Sequence, residues 1–104
     1  MGLFDTSMDD GVQEWRSTPG AVLLDVRTDR EYQLGHVPGC VHVPIDQLQR
    51  VLELVPDAET PLFVYCLSGS RSGQAVRVLQ QVGYVNARNI GGVSTYKGDL
   101  EPGE

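Results

Sequence analysis

Apolar and polar positions along this chain fall into two alternating kinds of segment. Ala21-Val22-Leu23-Leu24-Asp25-Val26 is a nearly continuous apolar run, the pattern of a strand buried on both faces of a parallel sheet. Pro61-Leu62-Phe63-Val64-Tyr65-Cys66 is the strongest strand signal in the chain. Val41-His42-Val43, bounded by Pro38-Gly39 and Pro44, predicts a shorter strand, and residues 85–90 a last one. Between these runs the spacing turns helical. Residues 5–16 place Val12 and Trp15 on one face, with Asp or Ser as N-cap. A brief helix capped by Thr28 or Asp29 runs through Leu34 and stops at Gly35. Asp46 then caps a helix that carries Leu48, Val51, Leu52 and Val55 and stops at Pro56. Residues 73–82 carry Ala75, Val78, Leu79 and Val82, with Ser72 as the cap and Gly83 as the stop. Thr18-Pro19-Gly20 and Gly91-Gly92 read as turns, and residues 93–100 as a terminal helical turn. The tail Glu101-Pro102-Gly103-Glu104 reads as frayed.

Strands separated by helical segments imply crossover units. The expected class is α/β, a three-layer α/β/α arrangement with a small parallel sheet of four or five strands. Ligands of such sheets gather beyond the carboxyl ends of the strands, and Cys66 stands at that end of the most apolar one. A length of 104 residues is one domain's worth of chain, with its core over about 5–100.

Composition narrows the classes. The hydrophobic fraction is 40% and the charged fraction 21%, which suits a globular chain rather than a disordered one. Apolar stretches end at five or six residues, far short of a membrane span. Residues 1–10 carry three Asp, no basic residue and no apolar run, unlike a signal peptide. Fourteen acidic against eight basic residues give a net charge of −6 without a basic cluster. That balance argues against nucleic acid and against an anionic membrane surface as partners. The two cysteines, Cys40 and Cys66, are too few for a disulfide framework and lack metal-ligand spacing. A reduced, cytoplasmic monomer without metal or cofactor is expected.

The chemistry concentrates in Cys66-Leu67-Ser68-Gly69-Ser70-Arg71-Ser72. The segment leaves a buried strand and enters a helix, so its backbone N–H groups can converge near the sulfur. Small residues at 68, 69, 70 and 72 allow a tight curl, and Gly69 can take positive φ. Convergent amides at a helix start make an anion cradle. The same field stabilises a thiolate, and thiols so placed fall to pKa values of roughly 3.5–7.5. Such a cysteine can attack an electrophile or hold a sulfane sulfur as a persulfide. Neither His36 nor His42 is near it in sequence, so a cysteine-protease arrangement has no support. Arg71, the loop's one charge, reads either as an anion contact or as a solvated charge at the helix start.

At these residues the chain resembles the rhodanese-like single-domain sulfurtransferases. Cys66, Gly69, Arg71 and Ser72 fit that family's Cys-x-x-Gly-x-Arg-Ser/Thr loop. Leu24-Asp25-Val26-Arg27, Glu31-Tyr32 and Gly35-His36-Val37-Pro38-Gly39-Cys40 follow its upstream signatures, while Gly83-Tyr84 and Gly91-Gly92-Val93 follow its downstream ones. The resemblance covers about residues 22–96, with several separate motifs in order. It implies sulfur transfer from a donor such as thiosulfate to cyanide, a thiol or a protein dithiol, with Cys66 as nucleophile. Leu67, Ser68, Gly69, Ser70, Arg71 and Ser72 would bind the substrate, and a thioredoxin-like protein or a cysteine desulfurase would be a partner. A persulfide carrier acting with a partner protein is the alternative. Phosphatases and arsenate reductases of this fold use a Cys-x5-Arg loop, and the Cys-x4-Arg loop here is one residue shorter, which favours sulfur over a tetrahedral oxyanion.

Two positions depart from the family pattern. Leu67 stands where thiosulfate-tuned members often carry a cation, and Tyr96 where relatives often have Trp. The remaining polar residues read as structural. Asp25 and Arg27 would pair, with Glu31 as a second partner of Arg27. His36 would hydrogen-bond within its turn, His42 has no evident task, Cys40 would pack as an apolar atom, and Trp15 and Tyr65 would be core.

Overall fold

Successive side chains of a strand point to opposite faces of its sheet, and residues 62–66 show what that alternation builds. In the computed structural model, which describes residues 7–103, all five residues of this strand are buried. Leu62, Val64 and Cys66 face one apolar cluster with Leu24, Val51, Val55, Ala75 and Leu79. Phe63 and Tyr65 face a second cluster with Met8, Val12, Leu23, Val37 and Ile90. The sheet is parallel, with strands β1 (Val22–Asp25), β2 (Val41–His42), β3 (Leu62–Cys66) and β4 (Ala87–Gly92) in the order β2-β1-β3-β4. Helix α1 (Met8–Ser17) covers one face, while α3 (Val51–Leu54) and α4 (Ser70–Gln81) cover the other. The short α2 (Asp29–Leu34) links β1 to β2. The α/β class and parallel four-stranded sheet are those expected.

Capping fixes where several elements begin. The Ser7 hydroxyl accepts from the Asp10 N–H at 3.1 Å and starts α1; positions 5 and 6 of the expected helix lie outside the described residues. Gly11 lets α1 approach β4, because a Cβ there would overlap the Ile90 side chain. At α2, Thr28 and Glu31 form a reciprocal capping box.

Elsewhere the structure departs from the pattern. Asp46 does not cap a helix: Ile45–Arg50 is a 3-10 turn begun at Pro44, with non-helical Gln47, and only Val51–Leu54 is α-helical. Ile45, Leu48 and Val51 are spaced by three, which aligns side chains on a three-residue turn; Leu52 stays exposed. In α4 the sheet-facing residues are Ser72, Ala75, Val76 and Leu79, so Val78 and Val82 face outward. Gly91-Gly92 is not a turn but the end of β4. The pairing slips by one residue after Val64–Asn89, and Gly91 absorbs the bulge at φ 101°. The terminal helical turn is confined to Val93–Thr95. The tail is tied down through residue 103. Glu101 exchanges both backbone hydrogen bonds with His36, and the Gly103 N–H donates to Gln33; Glu104 lies outside the described residues.

Buried polar groups brace the carboxyl end of β1. Arg27 donates to both Asp25 carboxylate oxygens, at 2.7 Å for the shorter bond, and to the Gly35 carbonyl at 2.7 Å. Glu31 is not its second hydrogen-bonding partner; that carboxylate turns to Arg71. His36 donates to the Tyr32 carbonyl at 3.0 Å, as expected of a residue bracing its turn. His42 does have a task, since its Nε2 bonds the Arg27 carbonyl at 2.8 Å. Both imidazoles stack on Tyr32, at ring separations of 3.8 and 4.2 Å. Asp25 is fully buried, so Asp25→Ala would strand the Arg27 charge. A loss of about 3–5 kcal/mol in urea unfolding is the expected outcome.

Candidate active site

Strand β3 delivers Cys66 to the carboxyl edge of the sheet at 1% exposure. The chain must then reverse into α4 within three residues, and Gly69 does this at φ 102°, a left-handed conformation that costs glycine little. Two close approaches shape the turn. The Leu67 carbonyl accepts from the Ser94 N–H at 3.0 Å and lies over Gly92, where a Cβ would overlap it.

The curl turns donors onto the sulfur. The Gly69 N–H donates to Cys66 Sγ at 3.0 Å, and the Ser72 hydroxyl lies 3.3 Å from it. Burial pushes the thiol pKa up. The Ser72 hydroxyl and the N–H groups of Ser72, Gly69 and Ser68 outweigh it and hold the thiol below its ordinary value. These donors favour the thiolate, and among the described residues no side-chain cation hydrogen-bonds to the sulfur.

Ser72 is therefore not the helix cap. It is fully buried in the first turn of α4, with three acceptors around one hydroxyl hydrogen. These are Asn89 Oδ1 at 2.7 Å, Cys66 Sγ at 3.3 Å and the Gly91 carbonyl at 3.4 Å. Asn89 also donates from Nδ2 to the Gly69 carbonyl at 2.9 Å and accepts from the Gly91 N–H at 3.0 Å. The side chain thus laces β4 to the turn at Gly69 and to the first turn of α4 at Ser72. Sequence reasoning missed it; the available signal was an amide of poor strand propensity two residues before a Gly-Gly pair.

Arg71 is ion-paired rather than a simply solvated charge. Its guanidinium grips Glu31 with two bonds, at 2.7 and 2.9 Å. The Arg71 bond pulls the Glu31 carboxyl down to about 2, against partial burial and with help from Thr28. Leu67 is 45% exposed, and Ser68 and Ser70 also face outward. Of the six loop residues expected to bind substrate, Gly69 and Ser72 are drawn onto the sulfur, with Ser68 contributing its N–H. Beside Arg71 opens a cleft of about 360 Å³, lined also by Thr28, Asp29 and Asp46.

Cys40 is chemically unlike Cys66. It packs with the cluster on the opposite face of the sheet. Burial raises its thiol to about 11, although the Tyr65 hydroxyl donates to its sulfur at 3.6 Å.

Comparison with known proteins decides the family. The profile of the rhodanese-like domain matches residues 8–99. The chain belongs to the rhodanese-like domain family. Its relatives include the thiosulfate sulfurtransferase PspE of Escherichia coli K12, 38% identical over 71 residues that cover 67% of this chain and 68% of that one. The putative sulfur carrier protein YrkF of Bacillus subtilis is 36% identical over 69 residues, covering 65% of this chain but only 36% of that protein's length. Among solved structures, a rhodanese with anions from E. coli superposes with a TM-score of 0.75 at 33% identity, over 80% of this chain and 99% of that one. These likenesses support membership among the sulfurtransferases of the rhodanese-like family.

The Ser72 hydroxyl offers a direct measurement. Ser72→Ala removes one hydrogen bond to a charged sulfur, a loss of roughly 1.5 kcal/mol. Iodoacetamide alkylation of Cys66 at pH 7 is expected to slow by about tenfold, with its pH profile displaced upward.

Proposed function

We propose that this protein is a sulfurtransferase that carries a sulfane sulfur as a persulfide on Cys66. The supporting observation is the buried thiol held below its ordinary pKa by backbone N–H groups and a hydroxyl converging from one short loop. Cys66 thiolate attacks the outer sulfur of a donor such as thiosulfate. A new S–S bond forms at Cys66, the donor's S–S bond breaks, and sulfite leaves with the bonding electron pair. An acceptor (cyanide, a thiol or a protein dithiol) then attacks the outer sulfur and restores the thiolate. The loop donors that favour the thiolate suit the persulfide anion for the same reason, since both place negative charge on sulfur against fixed dipoles. In this reading residues Leu67 to Ser72 line the donor's approach, and the domain acts as a monomer in a reducing, cytoplasmic setting without metal or cofactor.

A persulfide carrier that works with a cysteine desulfurase or a thioredoxin-like protein is the second reading. The exposed Leu67 beside the nucleophile favours it, because an apolar residue there suits contact with another protein better than capture of a small dianion. The likeness to a putative sulfur carrier points the same way. Phosphatase or arsenate reductase chemistry has less support. The loop is Cys-x4-Arg, and its arginine already pairs with Glu31.

Intact mass tests the proposal. Reduced protein incubated with thiosulfate, or with a cysteine desulfurase and cysteine, should gain one sulfur atom that cyanide removes and that Cys66→Ser never acquires. Sulfur transfer retained in Cys66→Ser, or no gain from any donor, would overturn it.

A further inference from the structure

What charge the donor carries depends on what the loop's cation is doing. Arg71 is the one charged side chain between Cys66 and Ser72, and both terminal nitrogens of its guanidinium are engaged by the two oxygens of Glu31. That carboxylate is itself immobilised. It accepts from the Thr28 N–H at 3.0 Å and from the Thr28 hydroxyl at 3.1 Å at the start of α2. Arg71 and Cys66 are close enough to interact electrostatically, so the sulfur feels an ion pair rather than a lone positive charge.

The cleft beside Arg71 brings further acidic residues. Leu67 follows the nucleophile, and that cleft has Asp29 and Asp46 among its lining residues. The other arginine of that cleft, Arg27, is held in a buried pair with Asp25. Summed over these six charged groups, two arginines face four carboxylates. A dianion that approached the loop past Arg71 would meet that balance, whereas a neutral or singly charged sulfur compound would be less affected by it.

We propose that Glu31 sets the charge selectivity of the Cys66 site, holding Arg71 neutralised so that low-charge persulfides of small thiols or protein cysteines load the site in preference to dianionic donors. This rests on the sulfur-transfer reading and specifies its donor. In the loading step Cys66 thiolate attacks the outer sulfur of RS–SH. The Cys66 S–S bond forms, the RS–S bond breaks, and the thiol RSH leaves with the proton, so that no external oxidant or reductant is consumed.

Glu31→Gln tests it while keeping an oxygen acceptor for Thr28. Loading is measured by intact mass and initial rate with two donors, thiosulfate and the persulfide of 2-mercaptoethanol. The wild type should prefer the persulfide in kcat/KM by at least about tenfold, and Glu31→Gln should erase most of that preference, chiefly by lowering KM for thiosulfate. The wild type alone gives a second readout that needs no variant. Thiosulfate loading should rise with ionic strength as repulsion is screened, while persulfide loading changes little. Thiosulfate loading that falls with salt, or a Glu31→Gln effect equal for both donors, overturns the proposal while leaving sulfur transfer intact. Failure of every donor to load Cys66 would overturn both.

Discussion

A negative charge on a buried sulfur has to be balanced by something, and here the balance comes from dipoles. Gly69, Ser68 and Ser72 turn N–H groups toward Cys66, and the Ser72 hydroxyl adds a further donor. Much of the local structure follows from that arrangement. The chain can bring the N–H groups of residues 68, 69 and 72 round one atom only by reversing sharply, which explains the left-handed Gly69. The reversal drives the Leu67 carbonyl against β4, which explains a residue without Cβ at Gly92. A loop this tight needs support from outside itself, and Asn89 supplies it from the neighbouring strand. The strand that presents the thiol is buried throughout, so the sulfur's position is fixed by packing on both faces.

The single hydrogen of Ser72 joins two demands. With the thiol protonated, the short contact to Asn89 Oδ1 is the natural bond; once the sulfur is charged, the same hydrogen is attracted to it. Asn89 therefore acts at one remove, by holding the loop and by sharing the donor that the sulfur needs. The Glu31–Arg71 pair works in the opposite sense, withdrawing a cation from a place where the loop would otherwise display one.

Legibility in the sequence followed the range of the interactions involved. Strands β1 and β3 are short apolar runs that any two-faced burial demands, and a cap at Thr28 or Asp29 stands directly before its helix, so both could be read directly, while the reciprocal part of Glu31 in that cap could not. The placement of Cys66 at a strand end and its curled loop were legible because small residues and a glycine admit few other backbone paths. Ser72 was misassigned because a serine before a helical run looks like a cap, and only the register of β4 shows that its hydroxyl faces sulfur and amide instead. Asn89 and the Glu31–Arg71 pair escaped for a related reason, since they bridge 17 and 40 positions in the chain. The 3-10 turn over 45–50 was hidden by the overlap between three- and four-residue spacings. The tail was misjudged because its partners are backbone groups, which leave no trace in side-chain identity.

The separation of the chain's two cysteines carries a kinetic consequence. Cys40 lies across the sheet from Cys66, with β-strand packing between them. A modified Cys66, whether loaded with sulfur or oxidised, therefore finds no thiol of its own chain to discharge it. Its lifetime is set by encounters with other molecules rather than by an internal clock. Under the proposed sulfur transfer, the occupied fraction becomes a running record of how much acceptor the surroundings offer, and emptying the site is a second-order event however fast the loading step is.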